Sequence, residues 1–160
     1  MRPARRLDRV TDGSPGPRTT GIHHVELWVA DFAAAEPVWD WLLGALGWAP
    51  FQAWELGRSW RSGSAGDAAY LCLEQSADLV ADVQPDRRRV GLNHLALHAG
   101  PAADLEQLVA EAPANGWVLL FADRHPYAGG PGHYAAYLEN ADGFEVELVA
   151  ESREARTARA

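Results

Sequence analysis

The chain has 160 residues, 48% of them apolar, enough for one compact domain or two small modules sharing a core. Its formal net charge of −8 excludes a generic nucleic-acid binder, because phosphate recognition needs clustered positive charge; the arginines gather instead near the N-terminus (Arg2, Arg5, Arg6, Arg9), in Arg87-Arg88-Arg89 and near the C-terminus (Arg153, Arg156, Arg159). A single cysteine, Cys72, rules out an intrachain disulfide, no apolar run approaches a membrane span, and none follows Arg5-Arg6 as a secretory signal would require, so a cytoplasmic location is expected.

Residues 1–20, rich in Arg, Pro, Gly, Ser and Thr and without periodicity, read as a disordered leader. Over 22–30, Val25, Leu27 and Val29 alternate as in a strand. Asp31 can cap the helix that follows. Pro37 lacks an N–H and suits a first turn, which predicts a regular helix from about Ala35. Its apolar stripe is Val38, Trp41, Leu42, Ala45 and Leu46, and Gly47 ends it. Strands are expected near 49–55, 58–62 and 68–74, completing a first module over 21–75. Residues 76–90, with Pro85 and the arginine triplet, read as a linker. The second module, 91–150, runs as a strand at 92–99, a helix at 103–114 and strands near 117–122, 133–139 and 143–150, before a polar tail at 151–160.

The modules are copies of one unit. Gly21-Ile22-His23-His24-Val25-Glu26-Leu27 aligns with Gly91-Leu92-Asn93-His94-Leu95-Ala96-Leu97, and each helix ends in Gly-Trp, at Gly47-Trp48 and Gly116-Trp117. The expected fold is therefore α+β: two tandem βαβββ modules forming a cup-shaped mixed sheet with helices on its outer face.

Strand alternation sorts the polar residues. With Val25, Leu27 and Val29 on the helix side, His24, Glu26 and Trp28 face the cup; by the same rule so do His94, Ala96 and His98. In the last strand Phe144, Val146 and Leu148 are buried, while Glu145 and Glu147 face the cup. Two equivalent histidines and a late carboxylate make the donor set of a divalent-metal site with open positions, suited to Fe, Mn, Ni, Co or Zn. Cys72 and Glu74, on one face of the first module's last strand, are candidates for a fourth ligand. His125, Tyr127, His133 and Tyr134 sit in or beside a Gly/Pro-rich loop, placed at the cup's rim to supply an acid or base or to orient a substrate. Trp is over-represented, with seven residues, and its amphipathic ring suits a concave ligand surface as well as a core.

The stretch GIHHVELWVADF resembles the opening strand and turn of the vicinal oxygen chelate superfamily, which includes glyoxalases, extradiol dioxygenases, fosfomycin-resistance enzymes and bleomycin-binding proteins. The resemblance covers about Gly21 to Ala150 and includes the closing motif Asp142-Gly143-Phe144-Glu145-Val146-Glu147-Leu148. It implies His24, rather than His23, together with His94 and Glu147, rather than Glu145, as metal ligands. Glu26, Glu145, His133 and Tyr134 would then move protons, and Trp28, His98, His125 and Tyr127 would contact substrate. The implied activity is that of a glyoxalase- or dioxygenase-like metalloenzyme, a lyase, isomerase or dioxygenase, acting on a small molecule with adjacent oxygens. The alternative is a metal-free drug- or metabolite-binding protein of the bleomycin-resistance type. Relatives of this kind are commonly dimers, which implies a homodimer. The chain departs from the glyoxalase pattern in having Cys72 where those proteins carry a glutamate, and the loop from Asp123 to Tyr134 is most similar to an uncharacterised bacterial subgroup.

Overall fold

The computed structural model describes residues 21–63, 68–80 and 83–151. The leader expected over 1–20 and nearly all of the tail lie outside the described residues. The first module comprises β1 (His24–Trp28), α1 (Phe32–Ala45), β2 (Ala49–Trp54), β3 (Gly57–Arg61) and β4 (Tyr70–Glu74). The second comprises β5 (Leu95–His98), α2 (Ala102–Glu111) with a 3-10 turn at Ala112–Asn115, β6 (Trp117–Leu120), β7 (Ala135–Asn140) and β8 (Glu145–Val149). Each forms a four-stranded mixed sheet, in the orders β1-β4-β3-β2 and β5-β8-β7-β6. The first and last strands of each module pair in parallel, and the remaining pairs are antiparallel. The α+β class and the repeated βαβββ order are as the sequence predicts.

Helix α1 begins earlier than expected. Asp31 is its N-cap, accepting from the Ala34 N–H at 3.1 Å, so Pro37 lies inside the helix and not in its first turn. The proline is tolerated because it is exposed and the carbonyl it leaves without an intrahelical partner belongs to Ala33, also on the exposed side. The buried stripe is Phe32, Ala35, Trp39, Leu42 and Leu43; of the expected set, Leu42 belongs to it and Val38, Trp41 and Leu46 pack against the core only partly buried. Both sets keep a helical period. Between 38 and 43 every residue but Asp40 is apolar, so the sequence pattern leaves the phase open.

One continuous core joins the modules. Leu27, Val29, Leu71 and Leu73 of the first sheet pack with the α1 stripe, and Leu97, Leu138, Val146 and Leu148 of the second pack with Leu105 and Leu108 of α2. The seam is aromatic: the fully buried Trp39 ring lies 5.2 Å edge-to-face from Trp117 and 5.9 Å from Phe144. Trp117 Nε1 donates across the seam to the Val38 carbonyl at 3.1 Å. The repeated Gly-Trp has a backbone reason. Gly47 and Gly116 take φ values of 79° and 83°, left-handed positions that end a helix and turn the chain into the next strand. At Gly116 a Cβ would also meet Val38 Cγ2 at 3.0 Å.

Candidate functional site

The packing of Leu95 and Leu97 on the core side of β5, and of Val146 and Leu148 on the core side of β8, turns His94, Glu145 and Glu147 to the opposite face. Register then sets the neighbours: Glu147 lies beside Ala96 in β5 and beside Tyr137 in β7. A polar cluster forms there. The Tyr137 hydroxyl donates to Glu147 Oε1 at 2.7 Å, and His133 Nε2 lies 2.5 Å from the same oxygen. The other oxygen, Oε2, is 3.0 Å from His94 Nε2.

Glu147 is only 6% exposed. Burial alone would push its carboxyl up, but the hydrogen bonds from Tyr137 and His133 and the two nearby imidazoles outweigh it, holding the group below the usual glutamate value. The converse holds at Tyr137, where burial and then the bond to the Glu147 carboxylate push the phenol up to about 12. At neutral pH the cluster therefore contains an ionised carboxylate and a protonated tyrosine.

Glu145, two residues earlier on the same face, is also buried, and burial raises its carboxyl despite Arg87, whose Nε is 3.1 Å from Oε2. Arg87 lies over the Phe121 ring, which Arg124 and Tyr137 also contact. The linker thus borders this face. Its backbone also touches it: Asn93 Nδ2 donates to the Arg87 carbonyl at 2.7 Å, and Asn93 Oδ1 is 2.7 Å from His94 Nδ1.

The other expected residues fall in three places. His24 is on the first sheet, with its ring stacked 4.9 Å from Tyr70 and its Nδ1 2.9 Å from His23 Nδ1. No hydrogen bond or ion pair among the described residues joins it to His94 or Glu147, and none of those residues form a group of three or more His, Cys, Asp or Glu arranged to hold a metal ion within one chain. Glu26 and Trp28 are exposed on the same face, bonded to each other through Trp28 Nε1 and Glu26 Oε1 at 2.7 Å. Cys72, beside Glu26 in the sheet, is a buried thiol raised by burial and then by Glu26 and Glu74.

His98 is exposed and lines an open groove of about 410 Å³ with Leu46, Trp48, Tyr70 and Leu95 between the modules. His125, Tyr127 and Tyr134 gather on the other side of β7 around Glu106 of α2. The Tyr134 hydroxyl donates to Glu106 Oε1 at 2.7 Å, His125 Nε2 lies 3.1 Å from it, and Tyr127 packs edge-to-face on Tyr134. The loop thus divides its four residues: His133 joins Glu147, and the other three pin the loop to α2. Tyr137, Asn93 and Arg87 are site neighbours that the sequence pattern does not single out. Only the pairing of β7 with β8 gives Tyr137 a signal, since alternation puts it on the Glu147 face.

The profile of the Glyoxalase/Bleomycin resistance protein/Dioxygenase superfamily matches residues 23–137. The chain is 42% identical over 131 residues to the uncharacterised protein YqjT of Bacillus subtilis (strain 168), covering 82% of this chain and 99% of that one. Among solved structures, a proposed glyoxalase from Bacillus halodurans superposes with a TM-score of 0.73 at 39% identity, covering 81% of this chain and 95% of that one. The fold extends to a mutant of the fosfomycin resistance protein FosX of Listeria monocytogenes, complexed with Mn(II) and 1S,2S-dihydroxypropylphosphonic acid. That chain has a TM-score of 0.55 at 15% identity and covers 89% of this chain and 98% of its own. The repeated βαβββ unit and these likenesses place the chain in the vicinal oxygen chelate superfamily, the glyoxalase, bleomycin-resistance and dioxygenase group.

Proposed function

We propose that the protein is a divalent-metal-dependent enzyme acting on a small molecule with two adjacent oxygens, with His94, Glu147 and His24 as the ligands. The observation that carries the reading is Glu147. A buried carboxylate is costly unless a specific partner rewards its charge. Here Oε1 is engaged by Tyr137 and His133, while Oε2 is turned toward an imidazole nitrogen. A carboxylate oxygen beside an imidazole nitrogen is the donor chemistry that Fe, Mn, Ni, Co and Zn take, so the residues fit such an ion. Bound there, the ion supplies Lewis-acid polarisation of the substrate oxygens.

The remaining work belongs to the chain. Tyr137 holds the Glu147 carboxylate in one orientation, and His133, carried on the 121–134 loop, is placed to give or take a proton at the rim. Glu26 and Glu145 are further candidates for proton movement, and Trp28 for packing on the substrate. His24 reaches the set from a second copy of the chain. The reason is the first sheet, which carries His24, Glu26 and Trp28 exposed on edge strand β1 and is exposed along all of β2 at its opposite edge. Placed against the Glu147 face of a partner, it would close a cup.

Calorimetric titration of chelator-treated protein with Fe(II), Mn(II), Ni(II), Co(II) and Zn(II) in turn tests this. Binding of one ion per chain in a dimer, lost in Glu147→Gln and His94→Ala, is expected. A wild type that binds none of the five candidate ions sinks the proposal. One observation favours the alternative, a metal-free binding protein: Trp28, Phe51 and Trp54 are all exposed on the first module, an aromatic surface suited to a flat ligand. That reading expects ligand-induced tryptophan fluorescence changes indifferent to chelators.

A further inference from the structure

We infer that Asn93 is a positioning residue that fixes the tautomer of His94, so that the Nε2 lone pair is offered to the cation; this rests on the metal reading above. The hydrogen-bond roles follow from valence. The Arg87 carbonyl can only accept, so the Asn93 group 2.7 Å from it is the amide nitrogen, and the amide oxygen faces His94. That oxygen can only accept in turn, so His94 Nδ1, at 2.7 Å, carries the hydrogen. A neutral imidazole has one N–H. Nε2 is therefore left as an acceptor, 3.0 Å from Glu147 Oε2, which is another acceptor. Two lone pairs at that distance repel unless a positive centre serves both. A proton is the simplest such centre and a divalent ion the other. The asparagine thus denies His94 and Glu147 the direct neutral hydrogen bond that would close the site, and the linker takes part through the carbonyl that holds the asparagine.

The first module repeats the arrangement. His23 occupies the position equivalent to Asn93, and its Nδ1 lies 2.9 Å from Nδ1 of His24. In both copies the side chain before the candidate ligand engages the same ring nitrogen, Nδ1. The two residues differ in type but share the function of occupying Nδ1.

The tautomer is readable in the metal-free protein by long-range proton–nitrogen NMR of the imidazoles at about pH 9, where an ordinary histidine is neutral. Wild type is expected to show Nδ1–H at His94. Asn93→Leu, at an exposed position, is expected to switch it to Nε2–H donated to Glu147. Zn(II) affinity should fall about 10–100-fold in Asn93→Leu, the usual effect of losing a partner that orients a metal ligand. Asn93→Asp, which restores an acceptor for Nδ1, should recover most of it. Nε2–H in the wild type, or the same tautomer in wild type and Asn93→Leu, overturns the inference. Failure of the wild type to bind Zn(II) or any of the other candidate ions would instead sink the metal reading, while the NMR result still decides what Asn93 does.

Discussion

Cys72 in β4 sits beside Glu26 of the parallel neighbour and Ser59 of the antiparallel one, while at the matching place in the second module Glu147 sits beside Ala96 and Tyr137. The backbone solution is the same in both modules and the chemistry is opposite. In the second, a long carboxylate reaches a phenol and two imidazoles and is held ionised. In the first, a short thiol is kept neutral by burial and by two nearby glutamates, and the Ser59 hydroxyl beside it is buried without a hydrogen-bond partner. Two equivalent faces thus come from the duplication, and three register positions decide which one gathers a polar cluster. The histidine before the module's first core residue is kept in both copies, at His24 and His94, so the first face keeps one candidate ligand but not the carboxylate.

The comparison is broken most severely at the carboxylate. Glu147→Gln should lower divalent-metal affinity and any turnover by at least about 100-fold, as losing a charged ligand does, whereas Cys72→Ser should leave both within about twofold. Parallel calorimetric titrations of the two variants check this, and equal effects would dissolve the contrast between the faces. Next in size is the seam. Trp39→Ala removes the ring that touches both Trp117 and Phe144 and should cost about 3–5 kcal/mol by thermal or urea denaturation. Because the core is continuous, the transition should stay single; separate melting of the halves would show that the modules are independent.

How much of this is legible in the sequence depends on what each feature obeys. The repeat, the strands and the Gly-Trp turns follow from local rules, since alternation and a left-handed glycine need no distant partner. His94 and Glu147 on one face follow from alternation as well. The buried stripe of α1 does not, because Trp39 and Trp41 are equally apolar and only the aromatic seam with the second module chooses between them. The meeting of His133, and not His125, with Glu147 depends on the course of a loop from Phe121 to His133. Phe121 opens that loop at a φ of 54°, a conformation that alternation cannot foresee. That no hydrogen bond or ion pair among the described residues joins His24 to Glu147 is likewise not encoded in either strand.

Two smaller effects sharpen the contrast through pH. Glu147 has its carboxyl lowered in the folded state, so the stability it contributes is complete above the unfolded glutamate value and is lost as pH falls through the lower folded one. Glu147→Gln should therefore flatten the acid limb of a plot of stability against pH. An unchanged limb would mean that the carboxylate is not rewarded by its neighbours. Cys72 is raised, so its thiolate fraction at pH 8 is smaller than that of a free cysteine. Alkylation by a neutral reagent should be slower than for a model thiol and should quicken only at more alkaline pH, and alkylation as fast as the free thiol would contradict the buried, neutral assignment.

The most direct test of the metal centre is anomalous diffraction from crystals grown with Mn(II). A peak bonded to His94 Nε2 and Glu147 Oε2, with His24 of a second copy completing the set, is the expected result. Crystals that bind Mn(II) only elsewhere, or that show no anomalous peak between His94 and Glu147 at saturating metal, would contradict it.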